Sequence, residues 1–148
     1  MTTTSKVKPV PEGYPTVCPY IVVPGVAKLI DFAKQVFDAT EGHVSKRADG
    51  TVMHAEVKIG DSVIMMGEAP GGGKNFPAML HLFMEDVDAR YQRAIQAGAK
   101  SIREPADQIY GDRSAGVEDM CGNQWWIATH IEDVTPEEME RRAKAAQG

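Results

Sequence analysis

The sequence predicts an α+β fold: two βαβββ modules forming a curved mixed sheet around a cleft, plus a C-terminal helix. Three observations carry that expectation. A strand, a tight turn and an amphipathic helix occur over 19–37 (PYIVV, PG, VAKLIDFAKQVF) and again over 80–98 (LHLFME, D, VDARYQRAIQAG). Val26 matches Val87 and Cys18 matches Met79 at one and the same interval. Strand-like segments separated by turn residues follow each unit. Self-similarity spaced at half a domain indicates two fused copies of one supersecondary unit.

The elements follow in order. Residues 1–12 read as a loose arm, because Pro9 and Pro11, followed by Gly13, discourage regular structure. A strand is expected over 16–23 and is ended by Pro24-Gly25. The next helix places Val26, Leu29, Ile30, Ala33, Val36 and Phe37 on one face at the 3.6-residue period. A short strand over 42–47 leads to a hairpin at Asp49-Gly50, since Asp-Gly supplies the positive φ such turns require. Its second arm is 51–59, and Gly60-Asp61 turns the chain into a strand over 62–67. The glycine run within 69–76 (APGGGKNF) reads as the joint between modules. Its GGGK lacks phosphate-loop spacing, and Asn75 follows the lysine where Ser or Thr would be needed.

The second module repeats the pattern. Asp86 caps a helix carrying Val87, Tyr91, Ala94 and Ile95, and Gly98 stops it. Strands are expected over 100–103, 115–119 and 124–129, with a loop through 110–113 and a turn at Gly122-Asn123. Thr135, Pro136 and Glu138 then form a capping box with proline at the first helical position. Acids lie at that helix's positive end and Arg141, Arg142 and Lys144 at its negative end, so it belongs on the outside. The organisation is one domain over 14–148: module one about 14–68, linker 69–76, module two about 77–131 and the helix 135–146.

Composition bounds the function. With 148 residues, 43% apolar and 25% charged, the chain can bury a core. A net charge of −5 without a basic stripe argues against nucleic acid as partner. No segment resembles a signal peptide or a membrane span. Cys18 and Cys121 lack CxxC spacing and disulfide density, so reduced thiols in the cytoplasm are the expectation.

The order strand–helix–three strands, twice over, together with GDSVIM, EDVDA, YGDR and GNQWWIATH, resembles the vicinal-oxygen-chelate superfamily of glyoxalases, bleomycin-resistance proteins and dioxygenases, and its PhnB-like branch in particular. The resemblance runs from about Tyr14 to the end. It implies paired modules around a cleft, and commonly a homodimer. Members with metal chemistry place four His or Glu ligands on the cleft-facing strands, two per module. In that register the positions fall on Cys18, Met65, Met79 and Trp126, and shifting by one residue recovers neither His nor Glu. The resemblance therefore implies the fold but no bound metal or other cofactor. It points to a binder of a small amphipathic or aromatic molecule in an apolar cleft. The alternative is a lyase, isomerase or dioxygenase with relocated catalytic residues.

Strand alternation supplies the expected lining. Cys18 and Tyr20 share one face with Val22; Met79, His81 and Phe83 share another; Met65 and Trp126 join them by register. Such a surface suits stacking on indole and moulding against flexible thioethers. The same methionines and tryptophan serve equally as core filler, and His81 could pair with Tyr20 structurally. Cys18 and His81 form the one conceivable thiol–imidazole pair. His54 and Glu56 share a strand face: a metal half-site, a general-base pair or a solvent-facing stripe with Lys58. Tyr110 and Arg113 lie in a loop that borders the cleft in the resembled family. There Arg113 could hold a carboxylate or phosphate, or pair with Asp112 or Glu118. The expected partners are a small-molecule ligand and a second copy of the chain, with neither nucleic acid nor membrane.

Overall fold

The computed structural model describes residues 7–147. Eight strands and three helices form in the order β1 (Tyr20–Val23), α1 (Val26–Phe37), β2 (Thr40–Lys46), β3 (Val52–Ile59), β4 (Ser62–Glu68), β5 (Met79–Phe83), α2 (Val87–Gln96), β6 (Lys100–Asp107), β7 (Asp112–Glu118), β8 (Gln124–His130) and α3 (Pro136–Gln147). Two four-stranded sheets result, ordered β1-β4-β3-β2 and β5-β8-β7-β6. In each, the first strand runs parallel to the last and the other pairings are antiparallel. These are the two βαβββ modules with the additional helix.

The duplication extends to how the helices are capped. Glu68, at the end of β4, accepts hydrogen bonds from the Gly25 and Val26 amides at 2.9 and 3.1 Å. Thr129, near the end of β8, accepts from the Val87 amide at 3.0 Å and donates to the Met84 carbonyl at 2.7 Å. The last strand of each module thus satisfies amides that would otherwise be orphaned at its helix start. Asp86 adds a cap on the Ala89 amide.

The apolar stripes of α1 and α2 face the aliphatic sides of the sheets. Ile21, Val23, Val57 and Met66 from the first sheet are buried with Ala115, Val117 and Ile127 from the second in one continuous core. Trp125 joins the modules: its ring centroid lies 4.8 Å from that of Phe37 and 6.2 Å from that of Phe32. Its indole N–H donates to the buried Asp119 carboxylate at 2.7 Å, which also accepts from the Cys121 and Asn123 amides. That carboxylate shapes the tight turn between β7 and β8.

Three boundaries differ from expectation by three residues or more. β1 begins at Tyr20, not at residue 16, because Pro15 and Pro19 carry no N–H for a ladder; Cys18 therefore precedes the strand. β6 continues to Asp107 instead of ending at Arg103. It tolerates Pro105 because it is an edge strand with a shifted register there. β7 starts at Asp112, so Arg113 stands on a strand and not in a loop. α3 has no buried residue. It is tied down through Arg142, which bonds the Glu132 carboxylate, the Ile109 carbonyl and Glu138. Among the described residues no helix is long and apolar enough to cross a membrane.

Candidate functional site

Each sheet turns one face to the helices and presents the other outward. On the outward face of the first sheet, Tyr20, Met65 and Glu56 stand in register across β1, β4 and β3. On the second, His81, Trp126 and Gly116 stand in register across β5, β8 and β7. These two rows occupy equivalent places in the two modules.

The first row supports a chain of hydrogen bonds. The Tyr20 hydroxyl lies 2.9 Å from His54 Nδ1, and His54 Nε2 lies 2.8 Å from Glu56 Oε2. The Tyr14 hydroxyl donates to the other Glu56 oxygen. The His54 bond, then the Tyr14 bond, hold the Glu56 carboxyl below its usual range. The same contact pushes the Tyr14 phenol up.

The second row is an aromatic platform. The Trp126 ring lies over Gly116 and the Arg103 guanidinium sits 5.0 Å from the ring centroid. Arg103 also donates to the Ser114 hydroxyl. Trp126 Nε1 donates to Gln124 Oε1 at 3.1 Å, so the indole is fixed in its plane. Along β5, His81 and Phe83 pack edge to face with centroids 4.9 Å apart.

The sequence-derived candidates divide between these surfaces. Tyr20, His54 and Met65 lie on the first; Met79, His81, Phe83 and Trp126 lie on the second. No hydrogen bond or ring contact among the described residues joins the two sets. Tyr20 pairs with His54, not with His81. Cys18 stands apart, its thiol 3.6 Å from the Pro15 carbonyl and unconnected to His81. Tyr110 is exposed in the turn before β7. Arg113 faces the helix side, where Asp88 holds it through two bonds of 3.0 and 3.1 Å and Asp107 through one of 3.1 Å. Those acids are its ion partners, in place of the expected Asp112 or Glu118. Lys58 is exposed beyond the His54–Glu56 pair. Both cysteines are free thiols, and burial pushes Cys121 up to about 11.

A groove of about 610 Å³ runs between the modules, from Pro15, Val17 and Pro19 across to the β5 edge. Of the candidates, only His81 and Phe83 reach it.

The metal register also moves. Met65 lies opposite Tyr20, not Cys18, and Trp126 lies opposite His81, not Met79. A phenol, a thioether, an imidazole and an indole make a poor donor set for a divalent ion, since only the imidazole is a ready ligand at neutral pH. Among the described residues no three His, Cys, Asp or Glu side chains gather where they could hold a metal. The residues present do not fit the ion that this register serves elsewhere.

The family model described as the Glyoxalase/Bleomycin resistance protein/Dioxygenase superfamily matches residues 15–127. The chain belongs to this superfamily. Uncharacterized protein Mb0911c of Mycobacterium bovis is 34% identical over 145 residues, covering 90% of this chain and 95% of that protein. Uncharacterized protein Rv0887c of Mycobacterium tuberculosis is also 34% identical, with 90% and 85% covered. Among solved structures, TioX from Micromonospora sp. ML1 superposes with a TM-score of 0.62 at 21% identity, over 78% of this chain and 99% of TioX. The PhnB protein from Bacillus cereus gives 0.62 at 15% identity, with 78% and 99% covered. The fosfomycin resistance protein FosX from Listeria monocytogenes gives 0.59 at 16%, with 84% and 97% covered. At these identities the likeness is one of fold.

Arg103, Gly116, Tyr14 and Ser114 are the site residues that sequence patterns do not single out. Arg103 falls at the end of the strand expected over 100–103, but nothing local to it marks the Trp126 ring as its neighbour. Tyr14 lies in a proline-containing arm with no periodicity to read.

Proposed function

We propose that this superfamily member binds a small amphipathic or aromatic molecule bearing an acidic group, on the outward face of the second sheet, without the metal ligands usual in its relatives. Arg103 over Trp126 is the observation that carries this reading. The guanidinium spends one bond on Ser114 and keeps other N–H groups for an anion. Trp126, His81 and Phe83 supply the stacking surface, and Met79 an adaptable edge.

A second copy of the chain closes the site in this reading. Met79 and Phe83 are each 68% exposed, so the outward face of the second sheet carries large side chains that a monomer leaves wet. The whole of 14–148 would act as one unit in that dimer. The two free thiols favour a reducing compartment, the cytoplasm.

Titration with 8-anilinonaphthalene-1-sulfonate, a planar anionic amphiphile, tests the binding. Saturable binding is expected, with Trp126→Ala abolishing it. Arg103→Ala should weaken it about two- to five-fold, as loss of an exposed cation–π partner implies. Absence of saturation, or indifference to both substitutions, would overturn the reading. Sedimentation should give twice the 16.1 kDa chain mass.

A further inference from the structure

We propose that Tyr20, His54 and Glu56 form a proton-accepting relay on the first sheet, with Tyr20 as the catalytic residue that removes a proton from a planar carbon acid. This goes beyond the binding reading and does not rest on it, because none of the three residues belongs to the Trp126 platform.

With a neutral His54 ring, the hydrogen bonds assign the protons. Glu56 is held as a carboxylate by bonds from His54 and Tyr14, so it can only accept. His54 Nε2, 2.8 Å away, must then carry the hydrogen, leaving Nδ1 with a bare lone pair. The Tyr20 hydroxyl, 2.9 Å from Nδ1, donates to it. Its oxygen lone pairs are left to face outward on a side chain that is substantially exposed. A carboxylate orients an imidazole, and the imidazole polarises a hydroxyl: the order of parts that activates a hydroxyl in hydrolytic triads.

The backbone makes room for this arrangement. The Tyr20 ring crosses β4 at Gly67 to reach His54 on β3. A Cβ at Gly67 would lie 3.3 Å from the Tyr20 hydroxyl oxygen and 3.0 Å from the Met53 carbonyl oxygen. A side chain there would require the Tyr20 hydroxyl or the Met53 carbonyl to give by a few tenths of an ångström.

The transfer balances. The acid's C–H bond breaks and its electron pair stays on the substrate. Its proton goes to the Tyr20 oxygen while the Tyr20 proton passes to His54 Nδ1. The imidazolium formed is stabilised by the adjacent Glu56 carboxylate. Tyr20 and Met65 offer a polarizable wall, which suits an acid whose conjugate base is flat and delocalised.

The probe is 5-nitrobenzisoxazole. Loss of its C3 proton breaks the N–O bond and forms a nitrile and a coloured phenolate, with no co-reactant. Purified wild-type protein should catalyse this opening, and Tyr20→Phe and His54→Gln should each lower the rate by on the order of 10². Glu56→Gln should lower it while also changing the His54 tautomer. In the wild type, nitrogen-15 correlation spectra should show His54 protonated at Nε2; this readout needs no substrate and no variant. No rate above buffer, a rate that survives Tyr20→Phe in a folded protein, or a His54 protonated at Nδ1 would each overturn the relay. Binding of the anilinonaphthalene probe reports separately on the second sheet, so the two readings fail independently.

Discussion

Trp126 lies flat on Gly116, where a Cβ would come within 2.6 Å of the indole ring. This contact lets the ring cross β7 and meet Arg103 on β6. In the first module a different strand supplies the ring: Tyr20 on β1 crosses β4 at Gly67. Both modules therefore use a glycine in a central strand to lay an aromatic ring over the sheet, but for different partners.

Gly116→Ala should expel the Trp126 ring from its place over the sheet. Overpacking of this kind costs about 1–3 kcal/mol. Urea denaturation should show that loss, near-UV circular dichroism should report the moved indole, and affinity for the anionic amphiphile should fall. An unchanged near-UV spectrum would mean that the ring does not rest there.

The Asp119 carboxylate is 4% exposed and gathers the Trp125 indole N–H, the Asn123 side chain and two turn amides. Asp119→Ala leaves those donors buried without an acceptor. A loss of about 2–3 kcal/mol in urea-derived stability is expected. Asp119→Asn should cost less, because one oxygen still accepts.

The C-terminal segment should respond to pH at both ends of the range. His130 lies between Asp133 and Asp112, at 2.7 and 2.8 Å, and those bonds raise its pKa above the ordinary 6.5. Its contribution is fully present below pH 6.5 and fades as pH rises through the raised folded value. Glu138, held by Arg141 and Arg142, is lowered from 4.5 to about 2. Its contribution is present above 4.5 and is lost as pH falls toward 2. Thermal melts followed across pH should lose the alkaline decline in His130→Gln and the acid decline in Glu138→Gln. Both groups are solvent-accessible, so raised salt should shrink both effects.

Thr129→Val removes the hydroxyl that caps α2 while keeping the side-chain shape. A cost of about 1 kcal/mol is expected, read as a lowered urea midpoint with an unchanged slope. Glu68→Ala should do the same to α1, because the two caps occupy equivalent places.

The repeat was legible because periodicity survives in sequence. Val26 and Val87 open matched helices, and apolar residues at helical spacing had to face a sheet. The α1 bounds, the Asp86 cap and the Thr135 cap on the Glu138 amide follow from local chemistry and are present, while the Glu138 side chain turns to Arg141 and Arg142 instead of closing the box. The bounds of β1 and β6 differ from expectation, because Pro15 and Pro19 carry no N–H for a ladder while the edge position of β6 tolerates Pro105. Arg113 forms an ion pair, but with Asp88 and Asp107 and not with the Asp112 or Glu118 that the sequence suggested. Strand parity turns its side chain toward Asp88, a residue distant in sequence, while Arg103 takes the outward face.

The chain by itself determined the duplicated modules and the sides of each strand that would be buried. These are consequences of local propensity, alternation and side-chain type. Only the tertiary structure decided that Tyr20 meets His54, that Met65 stands opposite Tyr20 instead of Cys18, and that Arg103 rather than Arg113 accompanies Trp126. Those partnerships depend on inter-strand register and on the absence of a Cβ at Gly67 and Gly116. Register is set by packing across the whole sheet, and a slip of one residue reverses every face.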